Sequence, residues 1–145
     1  MKPFAMEPVL RYREQLENIA QQHLLQAMEQ EAAAQARHDH LTTALATNYD
    51  ALERLRREGT LVEQLLLFER HNEVLREALL LATSTLHEAR DEVASRRKAL
   101  LKTSQDKKVL EKLKHHQDLL YRRHLDRLER RQLDEIAVMR HHREH

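Results

Sequence analysis

Leu61, Leu65, Phe68, Asn72, Leu75, Leu79, Ala82, Leu86, Ala89, Val93, Arg96, Leu100 and Thr103 follow one another at alternating intervals of four and three. This rhythm is a heptad seam, which keeps one stripe of a helix turned toward a partner helix over many turns. Upstream, Leu24, Ala27, Ala34, His38, Leu41, Leu45, Asn48, Leu52 and Leu55 keep the same rhythm, with alanines where two backbones would approach closely. Asn72 and Arg96 interrupt the downstream seam, and polar insertions of this kind trade stability for register. Between the stripes, "RREGTLVEQ" offers a helix stop at Gly59, then Thr60 as an N-cap with Glu63 three residues on, a capping box. One short corner at residues 57–61 and two seams predict an all-α fold: a long antiparallel two-helix coiled-coil hairpin, one elongated unit over residues 1–145. Helix 1 is expected over about 5–57 and helix 2 over about 61–140, with Leu52 opposite residues near Leu65.

At 1.5 Å per residue the two helices would run about 80 Å and about 120 Å, so the second should overhang by about 40 Å at its C-terminal end. Met6 then falls opposite roughly residue 112. Past that point Leu110, Leu113, Leu120, Leu125, Leu128, Leu133, Ile136 and Met139 still mark a stripe, with a skip near His124. An apolar stripe with no partner in its own chain predicts an external protein partner or a second copy. Near the corner, Leu67, Val74, Ala78 and Leu81 form another stripe one face over, broadened by Leu66 and Leu80. Local wrapping, a hairpin dimer or a docking tip carrying Phe68 and Tyr49 would each account for it.

Composition removes most other architectures. One Gly, two Pro, no Trp and 3% aromatics lack the turn-formers and bulky core-fillers of a compact mixed fold, and 34% charged residues with a mean hydropathy of −0.78 fit long solvated helices. Both prolines, Pro3 and Pro8, lie at the start, where a first helical turn tolerates them. With no Cys there is no disulfide framework and no thiolate site. The most apolar stretch, "LVEQLLLFERHNEVLREALLLA", is broken by Glu63, Glu69, Arg70, Glu73, Arg76 and Glu77, short of the roughly 18 apolar residues of a membrane span. No signal peptide is read at the start, and a soluble protein is expected.

Charge is polarised: residues 101–145 carry a net +4 and the first hundred a net −3. In the basic part, Asp118 with Arg122 and Asp126 with Arg130 stand at helical spacing, which reads as intrahelical pairing on a solvated face rather than a nucleic-acid arm. Among eleven histidines, His141 and His145 share a face but lack further ligands, and His115, His116 and His124 do not share one, so no metal or cofactor is expected. A single glycine builds no phosphate-cradling loop and a two-helix rod encloses no pocket, so the chain is expected not to be an enzyme.

The ends of the chain carry more specific signals. "MEPVLRYREQLENIAQQHLLQA" and "DKKVLEKLKHHQDLLYRRHLDRLERRQLDEIAV" resemble the bacterial flagellar export protein FliJ family, most specifically at "VLRYRE", "KVLEKL" and "RRQLDEIA". The resemblance implies a stalk of the flagellar type III export apparatus in the bacterial cytoplasm, held peripherally at the inner membrane at the flagellar base through protein partners. Those partners would be the export ATPase ring, the cytoplasmic domain of the export gate and the export chaperones, with no nucleic acid and no small-molecule ligand. Carried over residue by residue, it places Arg11, Arg13, Lys112, Arg122, Arg123, Arg127, Arg130 and Arg131 against the ATPase ring. It likewise places Leu45, Tyr49, Phe68, His71, Leu75 and Ala78 against the gate, and Leu67 joins them from the second apolar stripe. Phe68 and His71 stand where the family has aromatic residues, a departure from its pattern. The stalk of a virulence-type injectisome, and a homodimeric structural or nucleic-acid-binding coiled coil, are the alternative readings.

Overall fold

The computed structural model describes residues 4–144, which form α1 (Glu7–Glu58) and α2 (Val62–Glu144) packed against each other as an all-α helical hairpin, with no strand among the described residues. At the entry to α1, the Glu7 N–H donates to the Phe4 carbonyl at 3.0 Å and the Leu10 N–H to that of Met6 at 2.9 Å. Pro8 sits in this first turn, where a missing N–H forfeits no helical bond. Acidic Glu7 in the first turn and Arg56 and Arg57 in the last complement the helix dipole.

Gly59 ends α1 with φ = 76°, the left-handed conformation that a residue without Cβ adopts at no steric cost. A Cβ there would meet nothing within 4 Å, so backbone conformation, not crowding, calls for glycine. The restart departs from the expected capping box. The Leu61 carbonyl accepts the first helical bonds, from Gln64 N–H at 3.0 Å and Leu65 N–H at 3.3 Å, so the cap is Leu61 and not Thr60. The Thr60 hydroxyl donates instead to the Gln64 side chain. Leu61 is accordingly exposed, and the buried seam begins one turn later at Leu65.

The chain divides into two compact units. In the unit Ala20–Leu100, Leu41, Leu75 and Ala82 form the core cluster, with Ala44, Leu45, Ala78 and Leu79 packed against it. Ala27, Leu52, Leu86 and Val93 are buried along the same seam. Pairing is antiparallel: Arg56 meets Glu69 at 3.2 Å, Asn48 meets Asn72 and Arg90 donates to Gln35 at 2.8 Å, one partner's number falling as the other's rises. Leu52 is buried in the seam and borders a groove with Glu69 and Asn72 of the facing helix.

Asn48 and Asn72 are the buried polar residues of this seam. The Asn48 side-chain N–H donates to Asn72 Oδ1 at 2.8 Å and to the Phe68 carbonyl at 3.2 Å, so the two interruptions complete one another across the helices. Sliding either helix would strand a buried amide, which makes the pair a register lock. Asn72→Leu should therefore destabilise the fold by about 1–3 kcal/mol, and the double variant with Asn48→Leu should recover most of that loss, as read by thermal melts. Equal melting of the single and double variants would contradict the lock.

The second unit pairs the residues up to Ile19 with those from Leu101 onward. Here the buried apolar residues are Phe4, Leu10 and Leu110, and the four-three rhythm continues through half-buried Thr103, Lys107, Lys114, Gln117 and Tyr121. Of the stripe expected to lack a partner in its own chain, Leu113 and Leu120 are exposed, but Leu110 is buried in the seam, which continues by an unbroken heptad count from Leu65 through Leu110 to Lys114 and Gln117.

Candidate docking surfaces

Near the corner, residue positions sort onto two flanks of the seam. One flank is polar: Tyr49, Glu53 and Arg56 of α1 line a shallow groove with Glu69, Glu73 and Arg76 of α2. The Arg76 guanidinium donates to the Tyr49 hydroxyl and lies 5.3 Å from the ring centroid, a cation–π contact across the helices. The other flank is apolar. Leu67, Phe68 and His71 line one recess there, and Ala34, Arg37, Ala78, Leu81, Ala82 and Thr85 line another of about 200 Å³. Leu67 is 65% exposed, Val74 59% and Leu81 71%, so α2 carries a bare hydrophobic strip on this flank.

The seven residues placed against the gate therefore do not share one surface. Leu75 is buried in the core cluster, Leu45 packs on that cluster and Phe68 is half-buried in the seam. Tyr49 occupies the polar flank, whereas Leu67, His71 and Ala78 line the apolar one. Ala34 enters the spacing pattern as a seam position and Arg37 not at all, yet both line this recess. The signal was present in the 3.6-residue period, which sets Arg37 on the side of α1 that carries Ala44 and Ala51.

The residues placed against the ATPase ring also divide. Arg11 is exposed and 4.0 Å from Glu7 one turn back, and Arg13 is held across the helices by Asp106 at 3.5 Å. Lys112 is exposed, and Arg122, Arg123, Arg127, Arg130 and Arg131 lie where every residue from 122 to 144 is exposed. That stretch also leaves Leu125, Leu128, Leu133, Ile136, Val138 and Met139 uncovered. Its arginines point in several directions around one helix, so a partner would have to surround it or engage one side of it.

No group of three or more His, Cys, Asp or Glu among the described residues is arranged to hold a metal ion, and His145 lies outside them. No helix is long and apolar enough to cross a membrane among the same residues.

A helical hairpin with one polar flank, one apolar flank and an uncovered stretch at the end of α2 places the chain among all-α coiled-coil proteins. The chain belongs to the FliJ family: the family model described as Flagellar FliJ protein matches residues 1–145, the whole chain. It is thereby a component associated with flagellar export. No curated protein and no solved structure matches it.

Proposed function

We propose that this chain is a non-enzymatic stalk of the flagellar type III export apparatus whose uncovered stretch, residues 122–144, enters the ring of the export ATPase. The observation that carries this reading is the exposure of every residue in that stretch, arginines and large apolar side chains alike, in a member of the FliJ family. Contacts of this mixed kind are steered by charge and retained by apolar burial. The cytoplasmic domain of the export gate meets the apolar flank near the corner, and export chaperones are escorted by the same chain. The protein acts in the bacterial cytoplasm, held at the inner membrane through these protein partners.

Of the gate residues, Leu67, His71 and Ala78 are the ones that a partner can reach together, since Leu75 and Leu45 are engaged in the core. The test is co-purification with the ATPase and with the gate domain, followed by titration. Leu67→Glu should weaken gate binding at least about tenfold, the cost of placing a charge in the centre of an apolar contact, while ATPase binding stays unchanged. Helix content should survive, because Leu67 is outside the seam. Tyr49→Ala discriminates between the flanks: loss of gate binding there, with Leu67→Glu silent, would move the gate to the polar flank.

A further inference from the structure

The unit that pairs the start of α1 with α2 is held together differently from the unit Ala20–Leu100. Its seam positions on α1 between Leu10 and Ala20 include Arg13 and Glu17, and those on α2 around Leu110 are Thr103, Lys107, Lys114 and Gln117. Among the described residues, three ion pairs cross between the helices here: Lys107 Nζ to Glu17 at 2.8 Å, Lys114 to Glu7 at 3.1 Å and Arg13 to Asp106 at 3.5 Å. The Lys107 and Glu17 side chains are 21% and 15% exposed, so this pair occupies the seam itself. Glu111 approaches Lys107 at 3.6 Å from the following turn.

We propose that the first turns of α1 form an electrostatic latch on α2, which opens when its ion pairs are screened or exchanged for those of a charged partner, independently of the rest of the hairpin. Apolar packing is not weakened by simple salt, whereas charge pairs are weakened the more they are open to water: Arg13–Asp106 and Lys114–Glu7 the more readily, Lys107–Glu17 the less. The latch lies in the unit that does not contain the Leu41, Leu75 and Ala82 core cluster, so its opening need not be coupled to global unfolding. Opening bares Leu10, Leu16 and Leu110 together with both members of each ion pair, and so creates a surface that the closed form lacks.

Proton equilibria agree with a latch that is closed near neutrality. Hydrogen bonding from Lys107, then from Ser104, holds the Glu17 carboxyl below its usual range, with Lys107 and Lys108 adding favourable charge against the opposing effect of burial. Glu17 therefore stabilises the closed form above the ordinary carboxylate range and loses that contribution as pH falls through its lowered value. The hydrogen bond to Glu17 chiefly, with the charges of Glu17 and Glu111, raises Lys107 above its ordinary value, so its contribution is complete below that value and is lost as pH rises past the raised one.

Hydrogen exchange of the full chain tests the proposal by comparing the amides of residues 11–19 with those of residues 41–52. In about 1 M sodium chloride, where the screening length falls to about 3 Å, exchange in 11–19 should rise roughly threefold to thirtyfold over low salt, while 41–52 stays constant. Glu17→Gln should raise exchange of 11–19 already at low salt and shrink its response to salt. Ordinary fraying of a helix end would be indifferent to both changes. An equal salt response in the two segments, or unaltered low-salt exchange in Glu17→Gln, would overturn the latch.

Discussion

Truncation after Tyr121 should abolish stimulation of the export ATPase while the remaining hairpin melts within about 4 °C of the full chain, the equivalent of under about 1 kcal/mol in a small domain. Every described residue removed is exposed, and the last half-buried position of the seam among the described residues is Tyr121 itself, so the deletion takes away no packing seen in the hairpin. Helical signal should fall roughly in proportion to the residues lost. Charge reversal of Arg122, Arg123 and Arg127 to Glu is the milder form of the experiment: stimulation should drop, and the residual binding should depend less on salt. If the truncated chain still stimulated the ATPase fully, the ring-binding end would have to lie elsewhere, and Arg11 in the first turns of α1 would be the next position to reverse.

The second large effect is expected in the core of the unit Ala20–Leu100. Leu41→Ala removes the largest contribution from α1 to the cluster with Leu75 and Ala82, and large-to-small changes at such sites cost roughly 2–5 kcal/mol. A hairpin seam has solvent on both sides and can partly collapse into the space, which favours the lower half of that range. Even about 2 kcal/mol lowers the melting temperature of a domain this size by roughly 8–16 °C. Leu81→Ala provides the control. Leu81 is as apolar as Leu41 but largely exposed, and its loss should stay within about 0.5 kcal/mol. Similar melting of the two variants would mean that the seam has been drawn on the wrong face.

A period of four and three is a property of the chain that survives any arrangement of partners. For that reason Leu41, Leu52, Leu75, Leu86 and Val93 are assigned to a seam by spacing alone, and each is buried. The same spacing put Leu110 in the uncovered stripe although it is buried in the seam, because along this stretch apolar residues outnumber seam positions. Leu61 failed for a local reason: which residue's carbonyl starts a helix depends on how the chain leaves Gly59, and here that exit overrides the better capping side chain of Thr60. Of the docking surfaces, the uncovered end was legible from the unequal lengths of α1 and α2, and the strip through Leu67, Val74 and Leu81 from its seven-residue repeat. The division of the remaining gate candidates between two flanks was not, since a residue's flank depends on where the partner helix sits.

The sequence by itself determined what the backbone does: one glycine and two early prolines leave helix almost everywhere, a single break at Gly59, and seams that require two helices to pair. These are short-range consequences of φ preference and helical period, fixed within a few turns of chain. The tertiary structure alone decided which residues meet. That Asn48 finds Asn72, that Tyr49 joins Arg76 on one flank while Leu67 stays bare on the other, and that Glu17 closes on Lys107 all depend on the relative register of two helices. Register is set by the corner together with the summed packing of the whole seam, a non-local balance in which a shift of one residue rotates every side chain by about 100° around its helix.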